Sequence, residues 1–101
     1  RYGIPTVAYE GGQHLSAVMF GVDNAAIDDL FDRANRDPRM GRLYTQLLKE
    51  WNAASRGGLF LHLNECDRMG AYGRWGLLEH IDQPREDAPK FDAVMRWMEE
   101  P

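Results

Sequence analysis

The spacing of apolar residues along the chain predicts three helices and two strands. Apolar side chains recur every three or four residues over 24–35, 38–55 and 89–99, the spacing that gives a helix one apolar face. They alternate with other residues over 5–10 and 58–64, as in strands. Because a long and mostly helical connection separates the two strands, they are predicted to pair in parallel.

Polar and turn-forming residues mark the ends of these elements. Asn24 and Asp37 are predicted to cap the first two helices, since their side chains can accept hydrogen bonds from free backbone N–H groups. Pro38 and Pro89 suit the first position of a helix. The glycine pair that begins at Gly57 is expected to end the second helix.

Two segments without a regular period are predicted to be loops. They are residues 11–23 and residues 65–88, with a short ordered piece expected over 77–81. Long loops in compact domains often carry function.

The two strands are expected to turn polar residues to the same side of the sheet. In the first strand, Glu10 shares a face with two small residues, Thr6 and Ala8. One face of the second strand is predicted to pack against the helices and carries Leu59, Leu61 and Leu63. Its other face carries Phe60, His62 and Asn64. The last two of these would then lie on the side of Glu10.

Glu10 is the first candidate for a functional residue. It stands where a predicted strand ends, and Gly11 and Gly12 follow it. In parallel α/β proteins the loops at the carboxyl ends of strands carry the chemistry, and glycines let a ligand come close to the acid. The alternative is that Glu10 is a solvated residue at the end of a strand and that the glycines only form a turn.

The composition is that of one small domain with a packed core. The chain has 101 residues, of which 44% are apolar and 11% aromatic, and its formal net charge is −4. Its basic residues are interspersed with acidic ones, so nucleic acid is not an expected partner. No apolar run reaches about 18 residues, so a membrane is not an expected partner either.

Metal and cofactor sites are not expected. Cys66 is the only cysteine, which excludes an intrachain disulfide and a multi-cysteine metal site. A zinc site could be composed from His14, His62, Cys66 and Asp67, but no pair among them has a spacing typical of metal ligands. The sequence therefore predicts neither a cofactor nor a metal.

Five segments of the sequence together resemble the C-terminal part of glycoside-hydrolase-like proteins with a (β/α)8 barrel. They read P-T-V-A-Y-E-G-G-Q-H, D-P-R-M-G-R-L-Y, G-G-L-F-L-H-L-N, Y-G-R-W-G-L-L-E and A-P-K-F-D-A-V. The resemblance implies an α/β fold made of the last two βα units of a (β/α)8 TIM barrel. Residues 1–101 would be the C-terminal fragment of a single barrel domain, which agrees with Arg1 in place of a methionine. A secreted or cell-surface location is also implied.

The resemblance further implies a retaining glycoside hydrolase in which Glu10 is the nucleophile. The family's nucleophile is a Glu at the end of the seventh strand, and Glu10 matches it by motif and position. Such a carboxylate attacks the anomeric carbon, while a second acid about 5–5.5 Å away protonates the leaving oxygen. In the family that acid lies upstream, at the fourth strand. The pair Asn64-Glu65 would lie at the eighth strand, so its match is taken as coincidental and Glu65 is only a secondary candidate. These residues alone are therefore expected to be inactive.

Several side chains are expected to contact an oligo- or polysaccharide. Trp75 matches the aromatic platform that such barrels place after the eighth strand, although a Trp that fixes the loop to the barrel rim is an open alternative. The further candidates for substrate binding are Gln13, His14, His62, Asn64 and Tyr72. Of these, His14 could instead be merely solvated and His62 a satisfied interior residue.

A non-catalytic carbohydrate-binding or structural barrel module is the alternative function, since a barrel keeps its fold after losing its chemistry. Two strands with unpaired edges and an uncovered face also predict a protein partner. That partner is either the remainder of the barrel or another copy of the chain.

Overall fold

Two short strands and three α-helices make up the part of the chain that the structure describes. The structure is a computed structural model, and it describes residues 2–18 and 24–100. The elements in chain order are β1 (Ala8–Gly11), α1 (Ala25–Arg36), α2 (Pro38–Ser55), β2 (Phe60–His62), a 3₁₀ helix (Arg85–Asp87) and α3 (Pro89–Glu99). Of the predicted loop over 11–23, residues 19–23 lie outside the described residues.

The prediction that the chain forms the last two βα units of a (β/α)8 barrel is wrong. The described residues form a sheet of two strands, four and three residues long, and with the three helices this makes a small α/β unit. Both strands are shorter than the predicted ranges 5–10 and 58–64, and β1 ends one residue later than predicted, at Gly11. Asn64, with a left-handed φ of 61°, turns the chain away after β2.

The helices lie within one residue of their predicted bounds because their ends are encoded locally. The Asn24 side chain accepts a hydrogen bond from the Ile27 N–H at 3.2 Å, and Asp37 accepts one from the Arg39 N–H at 2.8 Å. Gly57 follows α2 with a φ of 82°, as suits a residue just past a helix end. Within the described ranges, no helix combines the length and apolar character needed to cross a membrane.

The strands β1 and β2 pair in parallel, with a bulge in β1. Ala8 pairs with Phe60 and Gly11 with His62, so three steps along β1 correspond to two along β2. The Leu63 N–H then donates to the Gly11 carbonyl at 3.0 Å. The bulge interrupts the alternation of side chains just before the glycine pair.

Phe60 and His62 turn toward α2. The Phe60 ring lies 6.0 Å from the Trp51 ring between centroids, and His62 Nε2 lies 2.9 Å from the Tyr44 hydroxyl oxygen. His62 is therefore on the helix side of the sheet, which is not the side that the sequence predicted for it.

The predicted packing of the β2 leucines against the helices is wrong for the same reason. Leu59 and Leu61 are 61% and 47% exposed on the face away from α2. Gly11 makes this orientation possible, because a Cβ at that position would overlap the Phe60 ring. Alternation identifies two faces of a strand, but the helix partners decide which of them is covered.

The core lies between α2, α3 and the loop after β2. Its buried cluster consists of Met40, Tyr44, Leu77 and Ala93, and its partly buried neighbours are Leu15, Phe91 and Val94. Gly41 allows α2 and α3 to approach closely, since a Cβ there would lie 2.9 Å from the Pro89 carbonyl oxygen. The loop that follows β2 contributes Leu77 to this core and is thereby held against α2 and α3.

Candidate functional site

A cavity of about 370 Å³ opens at the carboxyl ends of β1 and β2. Its walls come from the end of β1 and the turn after it, from the residue after β2 and from the following loop. The lining residues are Glu10, Gly11, Gly12, Gln13, His14, Leu63 and Trp75. Open parallel α/β sheets bind their ligands at this end of the strands. The structure thus brings together four of the residues that the sequence singled out.

Glu10 lines this cavity and has a free carboxylate. The residue is exposed, and no hydrogen bond or ion pair within residues 2–18 and 24–100 engages its side chain. Gly12 follows with a φ of 131°, and a Cβ there would lie 2.7 Å from His62 Nε2, so the turn requires a residue without a side chain. A carboxylate in this state can accept ligand hydrogen bonds or attack an electrophilic carbon.

Trp75 and His14 form an aromatic wall of the cavity. Their ring centroids lie 4.6 Å apart, with an angle of 68° between the planes. The indole also lies against Gly73, where a Cβ would overlap the indole nitrogen. Neither ring takes part in a hydrogen bond with another described residue. The wall therefore presents ring surface and unused polar atoms side by side.

Gln13 borders the cavity, but its side-chain amide is engaged inside the fold. Oε1 accepts a hydrogen bond from the Leu15 N–H at 2.6 Å, and Nε2 donates to Asn35 Oδ1 at 3.3 Å and to the Arg74 carbonyl. The backbone N–H of Gln13 donates to the Tyr44 hydroxyl at 3.1 Å. A hydrogen bond from this amide to a sugar hydroxyl would have to replace an internal one.

His62 lies behind the cavity in a chain of hydrogen bonds. Its Nδ1 is 3.1 Å from the Asn64 carbonyl, which can only accept, so Nδ1 carries the proton. Nε2 then accepts from the Tyr44 hydroxyl, whose oxygen accepts from Gln13. Burial lowers the pKa of His62, and the charge of Lys90 acts in the same direction, while the bond to Asn64 opposes them. His62 is therefore a neutral acceptor that orders the turn.

Two buried cations hold the segment that carries Trp75. Arg74 is 1% exposed, and its guanidinium pairs with Asp28 at 2.9 Å and Asp32 at 2.7 Å, both on α1. Lys90 is 2% exposed and donates to the Arg74 carbonyl at 2.9 Å. Burial lowers the pKa of Lys90 to about 8. Lys90 binds the peptide group before Trp75, and the Arg74 side chain anchors the same segment to α1, so both cations hold the backbone from which the indole extends.

The remaining predicted contact residues lie outside the cavity lining. Tyr72 is 72% exposed, and the Asn64 side chain donates to Asp67 at 3.2 Å. A role in substrate binding stays a prediction for both. In the described part of the chain, no group of three or more His, Cys, Asp or Glu residues could hold a metal ion.

The sequence did not reveal four residues that build or support the cavity: Leu63, Tyr44, Arg74 and Lys90. Tyr44 falls on the apolar stripe of α2, where its hydroxyl was the one sign of a polar partner. In the sequence, Arg74 and Lys90 look like ordinary surface residues, because Lys and Arg are almost never fully buried unless they are paired. The carboxylates that pair with Arg74 are 46 and 42 residues away along the chain, which no local pattern can show.

No protein-family model, curated protein or solved structure matches this chain. The resemblance to glycoside hydrolases therefore rests on the five sequence segments alone.

Proposed function

We propose that the cavity at the ends of β1 and β2 binds a carbohydrate, with Trp75 as the stacking platform and Glu10 as a hydrogen-bond acceptor. The observation that carries this proposal is that an aromatic ring and a carboxylate without internal partners border the same cavity. Sugar rings present apolar C–H groups that pack on an indole, and hydroxyl groups that donate to a carboxylate.

The dimensions of the cavity suit part of a longer ligand. Ligand pockets span roughly 300–1,000 Å³, and this cavity of about 370 Å³ lies near the lower end of that range. We therefore expect it to hold one or two sugar rings of an oligo- or polysaccharide. The imidazole of His14, beside the platform, adds a donor and an acceptor for hydroxyl groups.

Replacing the platform tests the proposal. Trp75→Ala should weaken oligosaccharide binding by roughly 1–3 kcal/mol, or about 5- to 150-fold in Kd, because the apolar stacking surface is lost. The measurement is calorimetric titration with cellohexaose, xylohexaose, mannohexaose and chitohexaose.

Met98→Ala is the control, since Met98 is an exposed, large apolar residue on α3 outside the cavity lining. It should leave the affinity unchanged. If Trp75 only fixes the loop, Trp75→Ala should lower the melting temperature and leave the affinity of the folded protein unchanged. That result would contradict a role as platform.

A second candidate function is hydrolysis, with Glu10 as the nucleophile of a retaining glycoside hydrolase. A partner-free carboxylate at a strand end, beside an aromatic platform, favours it. Among the described residues, Glu10 is the one carboxylate in the cavity lining. The proton donor that such hydrolysis needs about 5–5.5 Å away would have to come from elsewhere.

An activated substrate separates the two functions, because its leaving group needs no proton. With a 2,4-dinitrophenyl 2-deoxy-2-fluoroglycoside, a Glu10 oxygen would bond to C1 while the C1–O bond breaks and dinitrophenolate leaves with the electron pair. We expect one glycosyl group on Glu10 by peptide mass spectrometry and none in Glu10→Gln. Glu65→Gln should still be labelled. An unlabelled native chain would refute hydrolysis and leave the binding proposal to calorimetry.

A further inference from the structure

We infer that Gln13 is the positioning residue of this site and holds the Glu10 turn against the segment that carries Trp75. The inference rests on the proposed carbohydrate site for its functional meaning. The structural role of Gln13 can be tested without a ligand.

The first observation is that, among the described lining residues, Gln13 is the one whose side chain hydrogen-bonds to the segment before Trp75, whereas the His14 ring contacts the indole by packing alone. It lies three positions after Glu10 and follows the two glycines of the turn. Its Nε2 donates to the Arg74 carbonyl, in the peptide bond that precedes Trp75. One amide therefore connects the carboxylate turn with the platform.

The second observation is that the partners of Gln13 are themselves fixed. Asn35 is 4% exposed, and its Nδ2 lies 3.0 Å from the Met69 sulfur, which leaves Oδ1 to accept from Gln13. The Arg74 carbonyl also accepts from Lys90 at 2.9 Å. The amide thus binds buried, hydrogen-bonded groups of α1 and of the loop before Trp75.

The third observation is that only an amide fits this position. Oε1 must accept from the Leu15 N–H, while Nε2 must donate to two oxygen atoms, those of Asn35 and Arg74. A carboxylate of the same size would keep the first bond and face two acceptors with a negative charge. Gln13→Glu therefore breaks the connection with almost no change in volume.

The glycines explain why the connection matters. Gly11 and Gly12 have no side chains that would restrict the turn, and Gly12 already has a φ of 131°. Without the amide, the turn keeps its backbone bond to the Tyr44 hydroxyl and the contact of the His14 ring with Trp75, but it loses its hydrogen bond to the peptide group before Trp75. The turn that carries the carboxylate would then be held less tightly against the platform.

NMR of the complete, ¹⁵N-labelled chain tests this directly. In Gln13→Glu we expect the indole N–H of Trp75 to shift and to lose order in the heteronuclear NOE. The indole N–H of Trp51, bonded to the Gly58 carbonyl at 2.8 Å, should stay unchanged and report an intact fold. Oligosaccharide affinity should fall roughly tenfold, the effect of about one lost hydrogen bond.

Gln46→Glu is the matched control, because Gln46 is an exposed glutamine on α2 outside the cavity lining. It should alter neither the Trp75 signal nor the affinity. If Gln13→Glu does not fold, Gln13→Met supplies the test, since it also lacks the donors. An ordered, unshifted Trp75 indole in the folded variant would overturn the inference. If the native chain binds none of the oligosaccharides, the proposed function fails, while the indole signal still decides the role of Gln13.

Discussion

His62 shows at the scale of single residues how burial sets the role of a side chain. In the sequence it was a candidate substrate ligand, yet both of its nitrogens are engaged, one by the Asn64 carbonyl and one by the Tyr44 hydroxyl. A proton added at Nε2 would replace an acceptor by a donor and break the bond from Tyr44. Burial lowers the pKa of His62 and so favours the neutral form.

The stability of the protein should therefore fall in mildly acidic solution. Unfolded histidine has a pKa of about 6.5, and the folded value is lower, so the unfolded chain binds more protons between the two. The contribution of neutral His62 should be complete above about pH 6.5 and decline below it. Urea unfolding across this range measures the effect. His62→Gln should flatten the decline, and an equal slope in the native and variant proteins would disprove it.

The elements differ in how much of them could be predicted from the sequence. The helices could be, because caps such as Asn24 and the apolar period are local signals. The faces of β2 could not, because Phe60 follows a partner on α2. The same limit applies to the site: Glu10 stands out by its position, whereas Gln13 resembles any polar loop residue and its partner Arg74 is 61 residues away.

The contact between α2 and α3 yields a prediction at this scale. A Cβ at Gly41 would lie 2.9 Å from the Pro89 carbonyl oxygen, so the backbone of α3 would have to move. Alanine exceeds glycine in helix propensity by about 1 kcal/mol. We nevertheless expect Gly41→Ala to lower the free energy of unfolding by about 1–3 kcal/mol, as overpacking does. Denaturant titration measures this change, with the exposed Lys49→Ala as control. A more stable Gly41→Ala protein would show that the helices separate without cost.

For the whole molecule, the sheet is covered by helices on one side only. Its other side exposes four large apolar residues, namely Val7, Tyr9, Leu59 and Leu61. Parallel sheets are normally covered on both faces. None of these four side chains carries a charge at neutral pH, so two copies could meet here without repulsion between them despite the net charge of −4.

We expect copies of the chain to associate through this face. Size-exclusion chromatography with light scattering at micromolar concentration should show a dimer or larger species. Leu59→Lys should shift it toward monomer, because a charge would be buried between the copies. Leu43→Lys is the matched control, since Leu43 is a similarly exposed leucine on α2, and it should leave association unchanged. A native chain that stays monomeric would rule this out.

The bond from the Trp51 indole to the Gly58 carbonyl also bears on the order in which the molecule assembles. It joins α2 to the entry of β2 across seven residues, whereas β1 meets β2 only through distant pairs such as Ala8 with Leu59. Contacts between near neighbours close first, because they cost less chain entropy. We therefore expect β1 to dock last, onto an edge that is already in place. The carboxylate of Glu10 would then reach its cavity in the final step of folding, and the site would be the first part lost when the protein begins to unfold.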